Sequence, residues 1–136
     1  MIAADVADEL VAAARRARQQ AYAPYSNFTV GAAVLCADGR IFGGCNVENA
    51  SFGATVCAER VALFGAVAAG CRQIEAIAIA GPGDEPLPPC GICRQVMAEL
   101  APGADVIMAG EERRRATTVA DLMPEAFGPG ELRGRT

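Results

Sequence analysis

Two short cysteine elements constrain this chain more than any other feature. Cys57-Ala58-Glu59-Arg60 comes first; Cys90-Gly91-Ile92-Cys93 follows, directly behind Pro88-Pro89. Three thiolates can hold one zinc ion and leave its fourth position open. To do so they must meet, so the fold has to bring residue 57 and residues 90–93 together. Cys57 and Cys90 each open a helical pattern, where free backbone N–H groups and the helix dipole favour a thiolate. Cys93 lies one turn further on and returns to the same end as Cys90. Glu59 stands two positions from Cys57, in the first helical turn, within reach of the open position without being a ligand.

Histidine is absent, which removes histidine bases, Ser-His-Asp chemistry and histidine-ligated metal sites. Catalysis is left to carboxylate, thiolate, metal or arginine. Six cysteines in a chain read as cytoplasmic argue for metal or catalysis more than for a disulfide framework. The cytoplasmic reading rests on residues 1–20, where acidic residues precede arginines, the reverse of a signal peptide. No apolar run approaches the roughly 18 residues of a membrane span. Net charge is −4 and the estimated pI is 4.8, and Arg113-Arg114-Arg115 is preceded by Glu111-Glu112. A phosphate-gripping surface is usually basic, so a small-molecule substrate is favoured over nucleic acid. All 12 basic residues are arginine, which has no functional account.

The 136 residues suit a single domain, 1–136, with a real core. Residues 4–22 read as a helix ended by Pro24. Residues 28–36 and 41–45 read as strands around an Asp38-Gly39 hairpin turn. Residues 46–56 read as a loop, 57–69 as a helix stopped by Gly70, and 74–80 as a buried strand. A loop over 81–89 leads into a helix over 91–100, then a strand over 105–109. Residues 117–119 are a weaker strand, and a capping pattern at 118–121 starts a short helix. The tail after Phe127 is expected to be irregular. Strands alternating with helices call for a sheet covered on both faces.

A ligand-x-Glu element followed by Pro-Cys-x-x-Cys is the recognised signature of zinc-dependent nucleobase deaminases. In that chemistry Glu59 shuttles protons between the attacking water, the ring nitrogen and the departing ammonia. Three thiolates donate more charge than imidazoles, and Arg60 and the two helix ends are placed to offset it. Cys-x-x-Cys alone is a weak signal. It also suits a redox dithiol, or half of a closed structural site with Cys36, Cys45 or Cys71 as fourth ligand. Those three cysteines instead fit packing positions, and the upstream Cys57 element disfavours a thioredoxin-like motif.

Further blocks sharpen the reading. They are Tyr22-Ala23-Pro24-Tyr25-Ser26-Asn27-Phe28, Val30-Gly31-Ala32-Ala33, Gly44-Cys45-Asn46-Val47-Glu48-Asn49-Ala50, Pro89-Cys90-Gly91-Ile92-Cys93-Arg94-Gln95 and Leu122-Met123-Pro124-Glu125-Ala126-Phe127. With the two cysteine elements, they make the chain resemble the short, homotetrameric cytidine deaminases over about residues 21–127. The resemblance implies a three-layer α/β/α sandwich around a mixed five-stranded sheet. It implies one Zn²⁺ per subunit and hydrolytic deamination of cytidine and 2′-deoxycytidine in pyrimidine salvage. By position, Cys57, Cys90 and Cys93 resemble the zinc ligands and Glu59 the proton shuttle. Asn46 and Glu48 resemble the pair that binds the ribose 3′-hydroxyl, and Phe28 the aromatic on the pyrimidine. Asn49, Ala50, Phe52 and Ala58 fall among the substrate-binding positions, and Phe52 stands where relatives often have tyrosine. Phe127 resembles a residue that enters a neighbouring subunit's site. Arg60 resembles an arginine that hydrogen-bonds a zinc thiolate, with Gln95 assisting. Bland readings stand beside these: Phe28 as core, residues 46–49 as a polar turn, Phe127 as ordinary packing. Alternatives for the whole chain are a deaminase of another aminopyrimidine nucleoside such as blasticidin S, a non-catalytic zinc module, and an RNA- or DNA-editing enzyme.

Overall fold

Alternation along the central strands divides the interior into two unlike cores. The computed structural model describes residues 1–133. Helix α1 (Ala4–Arg18) leads to strands β1 (Gly31–Cys36) and β2 (Ile41–Cys45). Then come a 3-10 turn (Phe52–Ala54), α2 (Ala58–Ala68), β3 (Ile74–Ala80), α3 (Gly91–Leu100) and β4 (Asp105–Ala109). β5 (Arg114–Thr118), α4 (Val119–Leu122) and α5 (Pro129–Arg133) complete the order. The five strands are arranged β2-β1-β3-β4-β5. β3 and β4 are parallel; the other neighbours are antiparallel.

Side chains alternate between the two faces of each strand. Val34, Ile77, Ile79, Val106 and Met108 pack with Ala62, Leu63 and Met97 of α2 and α3. Ala33, Ala76, Ala78 and Ala80 face Leu10, Val11 and Ala14 of α1. Small residues on that side let α1 lie close. A Cβ at Gly31 would sit 2.0 Å from the Ala14 carbonyl oxygen. On the other side a Cβ at Gly44 would meet the Ala62 nitrogen at 2.5 Å and the Ala58 oxygen at 2.8 Å. Glycine at 44 therefore lets the first turn of α2, which carries Glu59, rest directly on β2. The expected α/β/α sandwich with a mixed sheet is the observed one.

Several boundaries differ from the sequence reading. α1 ends at Arg18 rather than at residue 22, because the backbone of Tyr22 pairs with the 46–48 stretch: its N–H donates to the Asn46 carbonyl (2.9 Å), and its carbonyl accepts from Glu48 N–H (2.8 Å). The strand expected from residue 28 begins at Gly31, because Asn46 takes over the place of a ladder partner there. Its Oδ1 accepts from Val30 N–H (2.9 Å) and its Nδ2 donates to the Phe28 carbonyl (2.8 Å). β5 starts at Arg114 rather than Thr117. The tail expected to be irregular contains α5, which Pro129 opens as a first-turn proline. Cys36 and Cys71, read as packing positions, are joined in a disulfide with Cα atoms 6.2 Å apart. The bond ties the end of β1 to the residue after the Gly70 stop of α2.

Candidate active site

Two helix starts converge at one end of the sheet. Cys57 is the N-cap of α2 and Cys90 the N-cap of α3, both with extended backbone and neither sulfur making a capping hydrogen bond. Cys93 is in the first turn of α3 and fully buried. The Cys57 and Cys90 sulfurs are 3.7 Å apart, and the Sγ atoms of Cys57, Cys90 and Cys93 all lie within 4.8 Å of one another. A tetrahedral zinc with bonds of about 2.3 Å spaces its sulfurs by about 3.8 Å. The donor set and spacing thus fit zinc with one position left for a non-protein ligand. Soft thiolates favour the same metal.

Arg60 lies against this cluster. Its Nη2 donates to the Cys57 sulfur at 3.4 Å, and its Nε is buried with no hydrogen-bond partner. Cys57 is lowered to about 5, first by the hydrogen bond from Cys93 and further by Arg60 and Cys90. Cys93 is raised, first by that shared hydrogen bond and then by burial. Without metal, the hydrogen bond between them favours the thiolate on Cys57 over that on Cys93. Glu59 is only 4% exposed. Burial raises its carboxyl above the usual value, and the negative charge on Cys57 adds to the effect. A carboxyl so placed can act as both general base and general acid.

The cluster opens on a cleft of about 440 Å³. Its wall includes Phe28, Asn46, Glu48, Cys57, Ala58, Glu59 and Cys90. Phe28 is 45% exposed, so it is not a core residue. Asn46 is buried, and its bonds to Val30 and Phe28 leave one Nδ2 hydrogen uncommitted. Glu48 is held more firmly. Its Oε1 accepts from the N–H groups of Tyr25 (2.9 Å) and Ser26 (3.1 Å), and its Oε2 accepts from the Ser26 hydroxyl. These bonds, led by the hydroxyl, hold the Glu48 carboxyl below its usual value.

Other anticipated positions lie outside this cleft. Asn49 Oδ1 accepts from Ser51 N–H at 2.9 Å, closing a local turn, and Ala50 is exposed beside it. Phe52 is 76% exposed and stands edge-on to Tyr25, 6.1 Å between centroids. Together with Ser26, Glu48 and Thr55 these two rings line an adjoining hollow. Phe127 is 58% exposed on a separate surface with Glu125, Ala126 and Glu131. Gln95, anticipated beside Arg60, instead donates from Nε2 to the Phe127 carbonyl at 2.6 Å. Sequence reasoning missed Ser26, Val30, Thr55, Val56, Leu87 and Pro88, which complete the cleft wall. Ser26 carried a signal, since it lies inside the Tyr22-to-Phe28 block. Val30 did too, as the start of the Val30-Gly31-Ala32-Ala33 block, whereas Leu87 carried none.

An open three-thiolate site, a buried carboxyl beside it and an α/β/α sheet define a zinc-binding deaminase domain. The profile described as "Cytidine and deoxycytidylate deaminase zinc-binding region" matches residues 5–109. The chain is 45% identical to a cytidine deaminase of Sporosarcina psychrophila over 127 residues, covering 92% of this chain and 93% of the relative. It is 49% identical to a cytidine deaminase of Halalkalibacterium halodurans over 120 residues, covering 87% and 91%. A crystal structure of cytidine deaminase from Burkholderia pseudomallei superimposes with a TM-score of 0.84 at 52% identity, covering 88% of this chain and 98% of that one. The chain belongs to the cytidine and deoxycytidylate deaminase family.

Proposed function

We propose that the protein hydrolyses cytidine and 2′-deoxycytidine to uridine and 2′-deoxyuridine, releasing ammonia. The observation that carries this reading is Glu59, a buried carboxyl on the wall of the cleft that Cys57 and Cys90 of the three-cysteine cluster also line. Cys57, Cys90 and Cys93 would hold one zinc per subunit, which supplies Lewis acidity that can bring the pKa of a water from 15.7 toward about 7. Glu59 takes a proton from the attacking water and passes it to the ring nitrogen next to the amine-bearing carbon. Water's oxygen bonds to that carbon. A second proton transfer through Glu59 lets the amino group leave as ammonia, and the carbonyl of uridine remains. Phe28 offers its exposed ring to the pyrimidine. The free Nδ2 hydrogen of Asn46 and the carboxylate of Glu48 offer a donor and an acceptor to sugar hydroxyls. Arg60 counters the charge of the thiolates. Ala58 lines the pocket, and its side chain is too short to crowd a base.

We place the protein in pyrimidine salvage, in the cytoplasm, as a homotetramer. Among the described residues no helix is long and apolar enough to cross a membrane. The tetramer would explain why Asn49, Ala50, Phe52 and Phe127 stand outside the cleft of their own subunit: each faces outward, where a neighbour's site would lie. Relatives at 45% and 49% identity carry the name cytidine deaminase, which does not favour another aminopyrimidine such as blasticidin S. The test is ultraviolet monitoring of purified protein with cytidine, deoxycytidine, cytosine and cytidine monophosphate, with zinc measured on the same sample. Turnover of the two nucleosides with about one zinc per chain is expected. No turnover by zinc-loaded protein would refute the reading.

A further inference from the structure

Arg94 follows the ligand Cys93 and reaches two segments that are distant in the chain. Its Nε donates to the Pro89 carbonyl at 2.9 Å, and its Nη1 donates to the Leu122 carbonyl at 3.2 Å. Its own N–H returns to the Cys90 carbonyl at 3.0 Å. Gln95 beside it holds the Phe127 carbonyl. One short stretch of α3 therefore grips the residue before Cys90 and both ends of the 122–127 segment.

Each grip answers a local deficit. Pro86, Pro88 and Pro89 have no N–H, so of residues 86–89 only Leu87 can donate from its backbone, and the approach to Cys90 depends on carbonyls and side chains for most of its anchoring. Leu122 ends α4, and a last-turn carbonyl has no partner within its own helix. Glu125 has φ +51°, a left-handed turn that redirects the chain just before Phe127. Among the described residues Arg94 enters no ion pair. Its guanidinium is committed to carbonyls in two directions, which a lysine ammonium cannot reproduce with a planar fork.

We propose that Arg94 is a positioning residue that fixes the loop delivering Cys90 and, with Gln95, ties it to the segment presenting Phe127. This rests on the reading that the three cysteines hold zinc and that Phe127 serves a neighbouring site. The metal loop and the outward-facing arm are then one mechanical unit, and loosening Arg94 disturbs both.

The test measures zinc affinity by competition with a chromophoric chelator, and amide hydrogen exchange by mass spectrometry, on Arg94→Met, Arg94→Lys and Gln95→Leu. Loss of an outer partner of a metal ligand typically lowers affinity about 10- to 100-fold. Arg94→Met is expected to show that loss, with faster exchange across residues 119–127. Arg94→Lys is expected between native and Arg94→Met, and Gln95→Leu to speed exchange at 123–127 while keeping native zinc affinity. Native zinc affinity and native exchange in Arg94→Met would overturn the proposal. If Arg94→Met does not fold, native values for both in Arg94→Lys would overturn it equally. Both readouts need no substrate, so failure of the cytidine reading shows separately, as absent turnover in zinc-loaded native protein.

Discussion

Glu59 sits where its surroundings oppose its charge. Its carboxyl is raised above the ordinary 4.5, so its favourable contribution to folding is present below about pH 4.5 and lost as pH rises through the raised value. Above that raised value the ionised side chain costs stability. Glu59→Gln should therefore keep its zinc and melt no lower than native protein at pH 7. Its turnover should fall at least about a hundredfold. A lower melting temperature would contradict the burial argument; unchanged turnover would remove Glu59 from the reaction. Glu48 is the opposite case. Its carboxyl is depressed below 4.5 by Ser26 and Tyr25, so its hold on that turn persists at pH 4.5 and fails only as pH falls through the lowered value. The amide resonances of Tyr25 and Ser26 should titrate with a midpoint below that of free glutamate; a midpoint at or above it would sink the assignment. At this scale the three-cysteine cluster and the carboxyl beside it were legible, because their spacing is local: one helix start and one Cys-x-x-Cys turn. The bonds of Asn46 to Val30 and Phe28 were not, since they join positions 16 and 18 residues apart.

Secondary-structure elements were legible where periodicity or punctuation was strong. β2, β3, β4 and α3 lie where alternation, apolar runs and Pro-Gly stops placed them. β5 was mostly missed, because an edge strand beginning Arg114-Arg115 carries no apolar alternation and gains its identity from pairing with β4. The disulfide was missed for a similar reason: nothing near Cys36 marks Cys71, 35 positions away, as its neighbour. Close approach of elements is likewise invisible until they pack. Gly43 and Gly44 look equivalent in sequence, yet a Cβ at Gly43 would make only a 3.4 Å contact with Ala17, whereas one at Gly44 would strike α2 backbone at 2.5 Å. Gly43→Ala should be near neutral. Gly44→Ala should cost about 1–3 kcal/mol by overpacking, and should impair turnover by lifting the Glu59 turn. Thermal denaturation and kcat of the two variants check this; equal behaviour would remove Gly44 from the positioning of α2.

At the scale of the whole molecule, exposed rings line the hollow that adjoins the cleft: Tyr25 is 54% exposed and Phe52 76%. The homotetramer proposed above would cover them, with Phe127 entering from a neighbour. Phe127→Ala and Glu59→Gln should each be nearly inactive alone. Mixed subunits should regain measurable turnover, because some sites pair an intact Glu59 with an intact Phe127 from next door. No recovery in a mixture shown to contain hybrid assemblies would refute a role in trans.

The Cys36–Cys71 bond carries a different consequence, one of timing. Within this chain one pair of sulfurs is oxidised while three others must stay reduced to hold metal. The Cys57 and Cys90 sulfurs, 3.7 Å apart, lie open to the same reagent that closes the first pair. Metal bound before oxidant arrives would keep the Cys57 and Cys90 sulfurs from being closed in the same way. Air-oxidised, metal-starved preparations would hold the fold closed at Cys36–Cys71 while locking the reactive end shut.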